Sequence, residues 1–239
     1  MALRFNRGFK NSIRAISFDL DDTLYFNEDV IQRAELAQFS AICQLVPAAN
    51  ALGIDYWQSL KWSVLTSEPE LYHDVTVWRE AVLTQGLRQL GVTAPELSRH
   101  VQQVFQIFYD ARSDFEVPEQ SFQVLSKLAE RFPLVAVTNG NADINRLGLA
   151  KYFVGYYRAG ENNTRSKPYP DMLALAARDL DINPNHILHI GDSLGSDIKG
   201  ALNAGCMSLW FNPSGEGGRS GQNLADGEFS SLDDLLHLL

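Results

Sequence analysis

Residues 13–23 read IRAISFDLDDT, an apolar strand pattern that ends in a cluster of carboxylates. Two other apolar runs also end at polar turn residues: LVAV at 134–137 precedes Thr138-Asn139-Gly140, and ILHI at 187–190 precedes Gly191-Asp192. Short apolar runs followed by helix-like sequence are typical of buried parallel strands in an α/β sheet. We predict two more strands at residues 152–157 and 207–211. Because ligands bind at the carboxyl ends of such strands, the three polar ends are predicted to share one site.

Residues 26–119 have a different periodicity. Apolar side chains recur there at helical spacing, as at Leu97, Val101, Val104, Phe105 and Phe108. We therefore predict an all-helical insertion over residues 26–119, with residues 1–25 and 120–239 forming the α/β core. The Gly-rich segment 214–221 is expected to be a surface loop.

Composition and charge limit the function classes. The 239 residues include 45% hydrophobic and 21% charged side chains, which is ordinary for a globular protein, and the net charge is −9. A negative protein repels a phosphate backbone, so we expect no nucleic acid partner. No apolar run approaches the roughly 18 residues of a membrane span. The two cysteines, Cys43 and Cys206, are far apart in the chain and suggest neither a disulfide scaffold nor a zinc site. We interpret them as free thiols and expect a cytoplasmic protein. As a separate expectation, the protein is a monomer or a weak dimer.

Asp19, Asp21 and Asp22 follow the first strand within four residues. Like charges this close require a cation or protons, and ligand sets made only of oxygen favour magnesium. Strand alternation places Asp19 and Asp21 on one side, where one carboxylate can attack phosphorus while the other handles the leaving-group proton. Asp22 is interpreted as a turn or cap residue. An acidic turn that only caps the next helix is the alternative.

FDLDDTLY at residues 18–25 resembles the DxDxT motif of phosphatases in the haloacid dehalogenase superfamily. Three later segments resemble the other motifs of this superfamily in the same order: TNGN at 138–141, RSKP at 165–168 and GDSLGSD at 191–197. The resemblance spans essentially the whole chain. It implies a Rossmann-like parallel sheet, with a helical cap inserted after the first motif.

The resemblance also implies a role for each motif residue. Asp19 is the nucleophile, Asp21 the general acid and base, and Lys167 the cation that neutralises the phosphoryl group. Thr138 through its hydroxyl and Asn139 through its backbone amide hold phosphoryl oxygens. Mg²⁺ is bound by Asp19, the backbone carbonyl of Asp21 and Asp192, with support from Asp197. The implied reaction is magnesium-dependent hydrolysis of a small phosphate ester through an aspartyl-phosphate.

The predicted cap contains EPELYHDVTVWR at residues 68–79, which resembles the cap of the riboflavin-pathway phosphatases in this superfamily. That resemblance implies 5-amino-6-(5-phospho-D-ribitylamino)uracil or FMN as substrate. Tyr72 or Trp78 is expected to stack on the heteroaromatic ring, and His73 or Arg79 to bind ribityl hydroxyls. Trp78 also shares a helical stripe with Val75 and Val82, so a place in the cap core is the alternative. Sugar and nucleotide phosphates remain alternative substrates.

Two other function classes fit parts of the sequence. GDSLG at 191–195 satisfies the GxSxG pattern of serine esterases, although only His237 follows it as a possible base. A signalling protein phosphorylated on Asp19 is the other possibility, but Asp21 would hasten loss of its acyl phosphate. His186 and His189 lie three apart on a predicted strand, so we interpret them as structural residues and not as a metal pair.

Overall fold

The computed structural model describes residues 4–5, 12–215 and 224–239. Within them a sheet of seven strands has the order β1-β7-β6-β5-β2-β3-β4. β1 is antiparallel to β7, and all other neighbours are parallel. The α/β prediction is therefore confirmed. The strands are β1 Arg4–Phe5, β2 Ala15–Phe18, β3 Leu134–Thr138, β4 Gly155–Arg158, β5 Ile187–Gly191, β6 Met207–Phe211 and β7 Gly227–Phe229.

The five predicted strands are present, but the fourth begins later than expected. Residues Ala150–Tyr152 form a 3₁₀ turn, and the strand starts at Gly155. The Tyr152 ring packs against Phe122, with 6.0 Å between ring centroids, and does not enter the sheet. β1 and β7 were missed because two or three residues are too few to show an alternating pattern.

The chain divides into two compact units. The first comprises Met1–Phe26, Glu116–Gly140 and Leu147–Leu239. Its described residues include the sheet and three α-helices, and strands β2, β3, β5 and β6 are buried along their whole length. Burial on both faces explains why these strands are continuous apolar runs. The helices are α5 Glu119–Ala129, α6 Asp171–Asp179 and α7 Lys199–Ala204.

The second unit comprises Asn27–Phe115 and Asn141–Arg146. Its four helices enclose an apolar cluster that includes Ile42, Trp57 and Leu83. α1 makes its most extensive contact with α4. The helices are α1 Glu28–Leu45, α2 Gly53–Ser67, α3 Val75–Gln89 and α4 Glu96–Arg112.

The segment Asn141–Arg146 was expected in the core but groups with the helical unit. Asn141 Nδ2 donates to Thr76 Oγ1 at 3.2 Å, and Ser113 Oγ accepts from the Asp143 amide at 2.9 Å. Arg146 adds an ion pair at 2.6 Å to Asp110. These contacts join residues far apart in the chain, so no local pattern indicates them.

No helix in the described part of the chain combines the length and apolarity needed to cross a membrane. Of the predicted Gly-rich loop, residues 216–221 lie outside the described residues.

Candidate active site

The three polar strand ends are neighbours in the sheet. β2 lies between β5 and β3, and Phe18 is in register with both Ile190 and Ala136. The Asp19 amide continues the ladder by donating to Ile190 O at 2.8 Å. The residues that follow these strands therefore emerge at one edge of the sheet, where parallel α/β proteins bind ligands.

Lys167 is the buried cation of this edge. Its Nζ lies 2.5 Å from Asp19 Oδ1, 2.7 Å from Asp197 Oδ1 and 2.7 Å from Val137 O. Burial alone lowers the pKa of Lys167, but the carboxylates of Asp19 and Asp197 outweigh that effect and raise it. Lys167 is therefore charged, and its three contacts leave the ammonium a single position.

Asn139 fixes the main chain of Lys167. Its side-chain Nδ2 donates to Lys167 O at 3.0 Å, and its Oδ1 accepts from the Lys167 amide at 2.7 Å. The sequence indicated a role only for the Asn139 backbone amide. The adjacent Thr138 Oγ1 accepts from the Gly140 amide at 3.0 Å, so its own proton is free to be donated elsewhere.

Asp21 lies directly against the main chain of Gly140. A Cβ atom at position 140 would overlap Asp21 Oδ2, so no larger residue fits without displacing that carboxylate. Asp22, next in the chain, has a positive φ of 59°, and its amide donates to Tyr25 O at 2.8 Å. This matches its interpretation as a turn residue.

Asp19, Asp192 and Asp197 each offer a carboxylate oxygen within 4.8 Å of the others. At that separation two like charges repel by about 3 kcal/mol at an effective dielectric constant near 20. Lys167 balances only one of the three charges. The arrangement therefore fits a divalent cation, and an all-oxygen donor set is the one Mg²⁺ prefers.

The ionisation of these carboxylates reflects the same crowding. Burial, together with Asp197 and Asp21, raises the pKa of Asp19 well above its usual range, against the opposing effect of Lys167. Burial also raises the pKa of Asp192 to about 6. Burial tends to raise the pKa of Asp197 as well, but Lys167 and His189 outweigh it and lower that pKa.

Neighbouring residues hold Asp192 and Asp197 in place. Thr23 Oγ1 donates to Asp192 Oδ1 at 3.4 Å, and Trp210 Nε1 donates to the Asp192 carbonyl at 2.7 Å. Asp197 lies in the π-helical turn Leu194–Ile198, where its Oδ2 accepts from the Ser193 amide at 2.9 Å. The sequence did not identify Trp210, since a tryptophan in an apolar strand is indistinguishable from a core residue.

Ser17 and His189 form a second buried polar pair that sequence reasoning missed. Ser17 Oγ lies 2.8 Å from His189 Nδ1, and His189 Nε2 lies 3.5 Å from Asp197 Oδ1. Burial lowers the pKa of His189, which favours the neutral form of its ring. His186 precedes β5 and bonds to Ser12 O through Nδ1 at 2.9 Å, so the two histidines have separate partners.

The four candidate substrate residues of the helical unit differ in exposure. Trp78 Nε1 donates to Lys61 O at 3.0 Å, and its ring packs on the apolar cluster. The Arg79 guanidinium lies 3.5 Å from the centroid of the Phe108 ring, and burial lowers its pKa to about 10. Tyr72 is 49% exposed and contacts His73 edge to face. Tyr72 is thus open to a ligand, whereas Trp78 and Arg79 have structural contacts inside the unit.

Comparisons with known proteins agree on one family. A model described as haloacid dehalogenase-like hydrolase matches residues 13–205. The chain is 40% identical over 211 residues to the 5-amino-6-(5-phospho-D-ribitylamino)uracil phosphatase YigB of Escherichia coli (strain K12), a match that covers 88% of each chain. It is 29% identical over 214 residues to the glyceraldehyde 3-phosphate phosphatase of Methanopyrus kandleri, covering 82% of this chain and 83% of that one.

Solved structures give the same fold. The structure described as 2-haloacid dehalogenase from Pseudomonas syringae pv. Tomato DC3000 has a TM-score of 0.86 at 29% sequence identity, covering 95% of this chain and 97% of that one.

Proposed function

The chain belongs to the haloacid dehalogenase-like hydrolase family and is a phosphatase, and we propose that it hydrolyses small phosphomonoesters through an aspartyl-phosphate on Asp19. The family resemblance expected from the four motifs is thereby confirmed. The observation that carries the mechanistic proposal is the contact between the buried Asp19 carboxylate and the ammonium of Lys167, next to the carboxylates of Asp192 and Asp197.

In the first step, an Asp19 carboxylate oxygen attacks phosphorus as the bond from phosphorus to the leaving alkoxide breaks. Asp21, held against Gly140, gives its proton to that leaving oxygen. The ammonium of Lys167, the hydroxyl of Thr138 and the backbone amide of Asn139 bind the phosphoryl oxygens. The products of this step are the alcohol and an acyl phosphate on Asp19.

In the second step, Asp21 is ionised and acts as a base. It takes a proton from a water molecule, whose oxygen attacks phosphorus as the bond to Asp19 breaks. Inorganic phosphate leaves, and both carboxyl groups return to their starting states. Mg²⁺, which Asp19, the Asp21 carbonyl and Asp192 would hold with support from Asp197, supplies positive charge to the phosphoryl oxygens.

We propose 5-amino-6-(5-phospho-D-ribitylamino)uracil as the preferred substrate, with FMN as a related one. Support comes from the relative that acts on this compound, which is 40% identical over 88% of both chains. Tyr72 is the candidate for stacking on the ring because its side chain is exposed, and His73 is the candidate for the ribityl hydroxyls. The engaged side chains of Trp78 and Arg79 favour a supporting role for both.

Dehalogenation is the competing reaction, since one similar structure is described as a 2-haloacid dehalogenase. Two residues favour a phosphatase. Asp21 can protonate an alkoxide, which is a poor leaving group, and Asp192 adds a carboxylate that can bind a dication. Displacement of a halide needs neither a proton donor nor a dication.

The test is a magnesium-dependent assay over about fifty phosphorylated metabolites, with 2-chloropropionate included. We expect the Asp19→Asn variant to lose at least about 10³-fold in kcat on the best substrate, as when other catalytic nucleophiles are removed. Asp22→Asn is the matched control, because it makes the same chemical change at a turn residue whose φ of 59° asparagine tolerates.

Near wild-type turnover by Asp19→Asn would refute the assigned nucleophile. A sugar phosphate as the best substrate would refute the flavin-precursor assignment but not the phosphatase. Halide release without phosphate release would replace the proposed chemistry altogether.

A further inference from the structure

Ser17 and His189 are polar residues at the centre of two buried strands. They face each other in register across β2 and β5, and both are 0% exposed. A hydroxyl and an imidazole are costly to bury in an apolar sheet unless each is hydrogen-bonded. The contact of 2.8 Å between Ser17 Oγ and His189 Nδ1 gives each residue one hydrogen-bond partner, but the other ring nitrogen, Nε2, takes no part in it.

The surroundings of Nε2 determine the tautomer. Nε2 lies 3.5 Å from Oδ1 of Asp197, a carboxylate that also forms an ion pair with the Lys167 ammonium at 2.7 Å. An ionised carboxylate only accepts, so the hydrogen of the neutral ring belongs on Nε2. Nδ1 is then an acceptor, and the Ser17 hydroxyl donates to it. The Nε2 hydrogen is thus directed at Asp197 Oδ1, and the 3.5 Å contact between these atoms is electrostatic because it is longer than a hydrogen bond.

Asp197 connects His189 to Lys167 and Asp19. Its Oδ1 lies 2.7 Å from Lys167 Nζ, and Nζ in turn lies 2.5 Å from Asp19 Oδ1. Asp197 and Lys167 are each 1% exposed, so no bulk water replaces a lost partner. Asp197 Oδ2 accepts a hydrogen bond from the Ser193 amide, while its Oδ1 lies between His189 Nε2 and the ammonium of Lys167.

We propose that Ser17 and His189 are positioning residues that orient Asp197 and, through it, the ammonium of Lys167 toward the phosphoryl group on Asp19. Neither residue touches a reacting atom. This inference rests on the proposed function for its kinetic consequences, but the tautomer of His189 does not depend on that function.

The kinetic test compares His189→Leu with His189→Gln. Leucine fills the buried volume without a donor, whereas the amide of glutamine restores a donor toward Asp197. We expect His189→Leu to lower kcat about 10- to 100-fold with little change in KM, as for other residues that orient a catalytic group, and His189→Gln to recover part of the loss. His186→Gln, the same change at the histidine bonded to Ser12, is the control and should match the wild type.

Two further measurements separate positioning from simple packing. If His189 acts through Asp197, the double variant His189→Leu/Asp197→Asn should lose no more kcat than Asp197→Asn alone, whereas independent effects would multiply. In addition, ¹⁵N spectroscopy of the histidine side chains should show His189 as the neutral tautomer protonated at Nε2. This measurement uses the wild-type protein, so it stands even if a variant fails to fold.

An Nδ1-protonated ring, multiplicative losses in the double variant, or full kcat in folded His189→Leu would each overturn the inference. Failure of the proposed function looks different: the wild-type protein would release no phosphate from any compound in the panel, while the tautomer could still be measured.

Discussion

Gly140 and Gly191 lie in close contact with carboxylates of the candidate site. A Cβ at position 140 would overlap the Asp21 carboxylate, and one at position 191 would overlap the carboxyl group of Asp197. Neither glycine has a positive φ, so what each position requires is the missing side chain and not an unusual backbone conformation. The two glycines therefore allow both carboxylates to approach the main chain at the strand ends.

Substituting Gly140 should impair catalysis with little loss of stability. The added methyl of Gly140→Ala would push Asp21 away, and a displacement of about 1 Å in a reacting group can cost about 10²-fold in rate. We expect kcat to fall by that order while the melting temperature changes little. The control is Gly195→Ala, whose Cβ would meet only Ser193 Oγ at 3.9 Å. Equal activity of the two variants would show that Asp21 does not need this approach.

At the scale of elements, α2 and α3 pack closely because α3 has a glycine where the helices meet. The ring of Trp57 on α2 lies against Gly86 so closely that a Cβ there would overlap it. Trp57 is 4% exposed and belongs to the apolar cluster of the helical unit, so its ring has no space to move into. In an interior packed this densely, even one added methyl group disturbs the packing.

Gly86→Ala should therefore destabilise the helical unit. Replacing a helical glycine gains about 1 kcal/mol in propensity, but overpacking a core costs about 1–3 kcal/mol. We expect the packing cost to prevail and the free energy of unfolding in urea to fall. Arg88→Ala, an exposed position on the same helix, should stay within about 0.5 kcal/mol of wild type. A rise in the free energy of unfolding would show that the Trp57 ring can adapt.

At the scale of the whole molecule, negative charge makes stability depend on pH and on metal binding. The net charge is −9, and the carboxylates of Asp19, Asp192 and Asp197 meet close to Lys167 at the strand ends. Burial raises the pKa of Asp192 from 3.8 to about 6 in the metal-free protein. Between pH 3.8 and about pH 6, the Asp192 carboxyl group therefore binds more protons in the folded state than in the unfolded state. The contribution of Asp192 to the free energy of unfolding therefore falls as pH rises from 3.8 to about 6, and it is lost above about pH 6.

Added Mg²⁺ should stabilise the protein more at about pH 7.5 than at about pH 5, because at the lower pH it must displace the Asp192 proton. At 100 times its Kd a ligand adds about 2.7 kcal/mol, which for a chain of this size raises Tm by about 5–10 °C. Thermal scans with Mg²⁺ or EDTA at both pH values measure this difference. Asp192→Asn should abolish the shift at pH 7.5. A shift that is equal at both pH values, or present in Asp192→Asn, contradicts this assignment.

The sequence by itself determined the α/β fold class and the existence of five of the seven strands, and it brought the four motifs to notice. Buried parallel strands must be apolar and must end at turn residues, so β2, β3 and β5 and the acids after them are visible as local patterns. Lys167 and Asp19, which the motifs assign to one site, are in contact in the structure although they are 148 positions apart. Only the order of the four motifs made that contact predictable.

Tertiary structure alone decided which other side chains contact the candidate site residues. The partner of Ser17 lies 172 residues away, and Trp210 meets Asp192 from a neighbouring strand. The sequence makes Trp78 and Arg79 candidate ligand-binding residues, with the cap core as the alternative for Trp78. In the structure Trp78 Nε1 donates to Lys61 O, and Arg79 Nη1 donates to Gln38 Oε1. A hydrogen bond depends on distance and direction, which chain folding sets. Residue type and spacing in the sequence therefore do not specify these partners.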